Sequence, residues 1–162
     1  MKPQYATLKA NYYSSNELNT NYVDKKRLYE EIGYDINALV RQNAGYENTC
    51  ATRVSLALIK SGVHFAGRLR IKKGTHEGRF VEPGAKLLAD QLSRSAVFGR
   101  PQVLRPAEAV SHLQGRKGVV FFWKITGYGG GHIDLIETEN AVQVCNSACY
   151  FSSQEVWFWL LD

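Results

Sequence analysis

No stretch of this chain stays apolar for the roughly 18 residues that a membrane-spanning helix needs. The longest apolar runs, "GVVFF" leading into Trp123 and the late "VWFWLL", fall far short. The opening "MKPQYATLKANYYSS" has neither an apolar core nor a small-residue cleavage site, so no signal peptide is expected. No internal repeat, low-complexity tract or linker interrupts the 162 residues, and one domain over 1–162 is expected. Cysteine is scarce. Three residues, Cys50, Cys145 and Cys149, cannot all pair within one chain. There is no CxxC and no convincing fourth ligand for a Cys/His zinc site, so no metal and no organic cofactor are expected. A recognition helix or stacking platform for nucleic acid is also missing.

What is present suits a packed protein. Nineteen aromatic residues (Trp 3, Tyr 9, Phe 7) can bury a large surface, and this argues against disorder. Lys and Arg number 20 against 15 Asp and Glu, a net charge of +5. That excess favours anionic partners (nucleic acid, anionic lipid or cell wall) without choosing among them. The basic residues are scattered, as in "RLRIKK" and "GRKG", in the manner of a solvated surface.

Helical patterns fill the first two thirds. "PQYATLKANYY" begins with a short helix, "DKKRLYEEIG" ends at a capping Gly33, and "DINALVRQN" follows. After Cys50, Val54, Ala57 and Leu58 fall on one helical face while Leu56 and Ile59 add a second, which marks a central helix. "KSG" closes it with a basic residue and a glycine. Residues 65–82 read as a Gly/Arg/Lys-rich loop. "EPGAKLLADQLSR" and "RPAEAVSHLQG" place proline near helix starts. Thereafter "GVVFFWKI", "HIDLIE", "AVQVCN" and "VWFWLL" read as strands, with "TGYGGG" as a break and "TEN" as a turn. Helices first and an antiparallel sheet second make the expected class α+β.

Chemistry gathers around Cys50. A helix N-terminus stabilises a thiolate and offers free backbone N–H groups to an oxyanion, so one position supplies nucleophile and oxyanion hole. The competing reading is a small buried cysteine. A nucleophile needs a base. His64 follows the same helix, His76 lies in the charged loop, and His112 sits on a helix surface. His132 differs: it follows three glycines and opens a strand, where another backbone or a substrate can approach closely. The orienting partner of His132 has two candidates. Asp134 shares its strand face. Asn146 lies opposite it if the hairpin turn holds three residues centred on Glu139; a turn centred one half-step later puts Ser147 there. Cross-strand Cβ atoms sit about 5 Å apart and i, i+2 neighbours nearer 7 Å. Distance therefore prefers Asn146, whereas charge prefers Asp134. Cys145 and Cys149 would lie roughly 13 Å apart in an extended strand. A bond between them needs a tight turn, which "NSA" permits, and free thiols remain the alternative.

The pieces "PQYATLKANYY", "NTCATRVSLALIKSG", "GGHIDLIE" and "CYFSSQEVWFWLLD" together resemble the type VI secretion amidase effectors of family 4, in order and over nearly the whole chain. The resemblance implies a papain-like cysteine amidase in which N-terminal helices pack on a C-terminal antiparallel sheet. It implies cleavage of peptidoglycan peptide stems between γ-D-glutamate and meso-diaminopimelate in the periplasm of a rival cell. Delivery would be by a contractile machine, with a secretion-machine component and a cognate immunity protein as partners. It places the nucleophile on Cys50 and the base on His132, and a disulfide between Cys145 and Cys149. Family members usually carry an aspartate after the histidine strand. "CNSAC" has none, so the third role stays open between Asn146 and Asp134. Residues 65–82 are a candidate border of the substrate groove. Two rival readings stand beside this one: a papain-like hydrolase or transferase on another amide, and a non-enzymatic basic nucleic-acid-binding domain in which Cys50 is dispensable.

Overall fold

The computed structural model describes residues 2–162. Short acceptor side chains start two of its helices. Asp24 accepts the N–H of Arg27 and Asp35 that of Asn37, which satisfies amides a helix leaves free at its start. The helices are α1 (Tyr5–Ala10), α2 (Lys25–Glu31), α3 (Ile36–Gln42), α4 (Cys50–Lys60), α5 (Ala85–Leu92) and α6 (Pro106–His112), with a 3₁₀ turn at Ala44–Glu47. The strands are β1 (Leu69–Arg70), β2 (Phe80–Val81), β3 (Gln102–Leu104), β4 (Gly118–Trp123), β5 (His132–Glu139), β6 (Val142–Cys145) and β7 (Glu155–Leu160). None of the described helices is long and apolar enough to cross a membrane.

The main sheet runs β3-β7-β4-β5-β6, antiparallel throughout. Strand β4 lies at its centre and is apolar on both faces. Val119 and Phe121 join α1, α4 and α5 in one cluster, while Val120 and Phe122 join Ala109 of α6 and Leu113 just after it in another. A continuous β-branched and aromatic run is what a strand covered on both sides requires.

Helix α4 is buried along almost its whole length, from Cys50 to Ile59. Its polar residues are each matched: Thr52 bonds Tyr29, and Ser55 both donates to the Glu82 carbonyl and accepts the Glu82 N–H. Its end follows the expected glycine cap. Gly62 has φ 84°, its N–H donates to Ile59, and that of Val63 donates to Leu58.

Two elements differ from the sequence reading. Residues 65–82 contain the β1–β2 hairpin, because Leu69, Ile71 and Val81 tuck beneath α2, α3 and the far side of α4. Strand β3 is only three residues long and is defined by pairing with β7, which no local pattern announces. The β5–β6 hairpin also has a different register from either version considered above. Strand β5 runs on through Glu139, and the turn is Asn140–Ala141, both left-handed at φ 51° and 64°. Ile136 pairs with Cys145; extended two residues further, this register sets position 147 across from 134.

Candidate active site

Cys50 opens α4 and His132 opens β5, and the helix packs on that strand. Both side chains are buried, at 6% and 8% exposure, yet both line a groove of about 400 Å³. Its walls come from Ser15, Tyr22, Asp24 and Lys25 on one side, from Glu47, Asn48 and Arg53 around the helix start, and from Ala148 and Tyr150. The hairpin at 65–82 does not border it; the segment 15–25 takes that place. A roomier cleft of about 510 Å³ beside Gly33 and Tyr34 has neither thiol nor imidazole in its lining.

The His132 ring is fixed on several sides. It stacks on Phe122 at 6.3 Å and meets the edge of Tyr150 at 4.9 Å. Gly131, just before it, lets the strand approach closely, since a Cβ there would stand 2.5 Å from the Phe121 ring. Nε2 donates to Asp134 Oδ2 at 2.8 Å, which leaves Nδ1 to exchange a proton with the thiol. Burial alone would lower the imidazole pKa. The hydrogen bonds and charges of Asp134 and Cys50 outweigh it and hold the pKa up at about 10. The ring therefore favours its protonated form, the state that pairs with a thiolate.

Asp134, fully buried, is the carboxylate at the centre of a donor cluster. Besides His132 it accepts the N–H groups of Leu135, Ser147 and Ala148 and the hydroxyl of Tyr12. Burial and the Asp134 charge push the Tyr12 phenol well above its ordinary pKa, so it stays a donor. Ser147 Oγ bonds Tyr12 at 2.7 Å and accepts the N–H of Ser15. The Ser147 and Ala148 amides belong to a five-residue loop closed by a Cys145–Cys149 disulfide, with Cα atoms 5.2 Å apart. Those two sulfurs are thus bonded to each other and are not free ligands for zinc.

Asn146 is turned elsewhere. Its side-chain amide donates to Tyr5 and to the Leu135 carbonyl, and its own carbonyl accepts from Ser14 and Asn19. The expected placement of Asn146 opposite His132 is corrected by the later hairpin turn. The group on the imidazole is Asp134, reached along one strand face. The 7 Å Cβ spacing proved no obstacle, since both side chains lean together.

Sequence reasoning missed Tyr12 and the two loop amides. Backbone donors carry no residue signature, and Tyr12 is more than a hundred positions away in the chain. It also missed the reach of Arg53, one turn beyond Cys50. Buried at 3% exposure, Arg53 bonds Thr49 and the carbonyls of Tyr13, Ser14 and Val23. A buried guanidinium, with five donors and no acceptor, needs such oxygens brought to it.

Residues 46–159 match the family model described as type VI secretion system (T6SS), amidase effector protein 4. The chain belongs to that family. Solved members share its fold. The Enterobacter cloacae type VI effector Tae4 superposes with a TM-score of 0.67 at 19% identity, over 100% of this chain and 98% of that one. The Tae4–Tai4 effector–immunity complex of Salmonella Typhimurium gives 0.68 at 17%, over 100% of both chains. No curated protein matches the chain. The architecture is that of these effectors, α+β, with helices packed on an antiparallel sheet; in this chain Cys50 opens the central helix and His132 opens strand β5.

Proposed function

We propose that this family member is a cysteine amidase that hydrolyses peptidoglycan peptide stems, at the γ-D-glutamyl–meso-diaminopimelate bond, in the periplasm of a rival bacterium. The observation that carries the reading is that Cys50 and His132 line one groove while the buried Asp134 carboxylate behind them bonds the imidazole and is itself held by four further donors. In this mechanism the Cys50 thiolate attacks the amide carbonyl and forms a tetrahedral intermediate. The His132 imidazolium gives its proton to the leaving amine as the C–N bond breaks, leaving an acyl-thioester. A water, deprotonated by the now neutral imidazole, attacks the thioester and expels the thiolate. Asp134 holds the ring in one tautomer and stabilises its charge, and Asn146 is assigned a supporting role in the loop behind it.

A disulfide beside the site suits action in an oxidising compartment such as the periplasm. The net charge of +5 suits an anionic wall. Since solved effectors of this fold occur in complexes with Tai4 immunity proteins, we assign this chain a cognate immunity protein and a secretion-machine partner as well. The test is digestion of purified peptidoglycan with the fragments identified by mass. Wild type should release stems cut between γ-D-glutamate and diaminopimelate, and Cys50→Ala should release none. Equal digestion by Cys50→Ala would falsify the nucleophile assignment.

A further inference from the structure

Asn48 lies two residues before the nucleophile and faces the groove. Its side-chain Oδ1 accepts the Cys50 N–H at 3.3 Å, and its Nδ2 donates to the Tyr128 hydroxyl at 3.0 Å. Thr49, which directly precedes α4, makes no side-chain cap; its hydroxyl accepts from Arg53 instead. Tyr128 comes from the glycine-rich turn before His132, and its ring lies over Gly130, where a Cβ would stand 2.7 Å away. Two loops from different parts of the chain therefore meet on one exposed amide beside the sulfur.

During attack on an amide carbonyl, negative charge collects on the oxygen next to the nucleophile, and the N–H of the nucleophilic residue is the nearest donor. In the resting protein that donor is occupied by an amide oxygen from the protein itself. A carboxamide carries an acceptor and a donor on one planar head, and its terminal torsion is soft. Accepting Asn48 Oδ1 in place of a substrate oxygen thus leaves the same side chain one rotation from donating.

We propose that Asn48 is the second oxyanion donor. The incoming carbonyl oxygen displaces Oδ1 from the Cys50 N–H, the carboxamide turns, and Nδ2 leaves Tyr128 to donate to the oxyanion. Tyr128 is 60% exposed, so its hydroxyl exchanges this partner for water without a burial penalty. The assignment rests on Cys50 acting as the nucleophile.

A purely capping Asn48 makes the opposite prediction, because aspartate is an equally good cap. Asn48→Asp keeps an acceptor for the Cys50 N–H but removes the donor. Asn48→Ala removes both without adding charge. Both variants should lose about 10²- to 10³-fold in kcat, the cost of one oxyanion donor, with Asn48→Asp melting at the wild-type temperature. Alkylation of Cys50 by iodoacetamide, which forms no oxyanion, should proceed in Asn48→Ala at the wild-type rate. A kcat within threefold of wild type in either variant overturns the proposal. So does a parallel loss of alkylation and turnover in Asn48→Ala, which would make Asn48 a support for the thiol. Cys50→Ala, assayed alongside, separates this failure from failure of the nucleophile assignment itself.

Discussion

At the scale of single residues, Asp134 and Asn146 pose the sharpest contrast. Asp134→Asn keeps the shape but loses the negative charge facing the imidazole. It should lower kcat by about 10²- to 10⁴-fold, because the ring loses its fixed tautomer and the partner of its charge. Asn146→Ala removes bonds to Tyr5 and Leu135 and should cost about 1 kcal/mol of stability while leaving kcat within a few-fold. Kinetics paired with thermal melts of the two proteins decide the matter. The pH dependence follows from the imidazole. Its folded pKa, about 10, lies above the ordinary 6.5. Its contribution to stability is therefore complete below pH 6.5 and fades as pH climbs through 10. The stability difference between wild type and His132→Gln should shrink across that window, as read by urea unfolding at several pH values. In Asp134→Asn the alkaline limb of kcat/KM should move to lower pH, since the first of the two influences raising the pKa is gone. Cys50 and His132 were legible as residues because one precedes a strongly periodic helix and the other follows three glycines. The choice between their two possible companions was not legible, since it turned on where a hairpin reverses.

Among the elements, the loop between Cys145 and Cys149 carries the most consequence. Its two amides reach Asp134 only while the chain turns back on itself there. Replacing both cysteines with serine should cost about 2 kcal/mol from the five-residue ring. It should also depress kcat, because the Ser147 and Ala148 amides no longer steady Asp134 on the imidazole. A dithiothreitol titration that reproduces both effects in the wild type checks the cause. The helices were readable from caps and spacing, and α4 above all. The hairpin turn was misplaced because "TEN" looks like a turn and Asn140–Ala141 does not; alanine seldom adopts φ 64°, and only tertiary pairing of β5 with β6 holds it there. Strand β3 and the β1–β2 hairpin were invisible for a related reason. Segments of two or three residues have no periodicity to detect, and the partner of β3, strand β7, is distant in the chain.

Over the whole molecule, three apolar clusters among the described residues share the load: one between the sheet and α4, one behind α4, and one beneath α6. Helix α4 belongs to two of them, so a cavity in it is felt by both. Leu58→Ala should lower stability by about 2–5 kcal/mol, measured by chemical denaturation. The long helices and the strands from β4 to β7 follow from periodicity, and with them the α+β class. The closure of the site does not. It depends on Arg53 holding the backbone at 13–23 while that same strip holds Asn146 and Ser147 of the loop.

That strip is at once a wall of the groove and the brace behind the aspartate, and its outermost residue, Leu18, stands 92% exposed. A single proteolytic nick there would leave the sheet and its aromatic interior intact and folded. It would nonetheless slacken the backing of the imidazole, so the enzyme can be disarmed by cutting a place that touches neither sulfur nor ring.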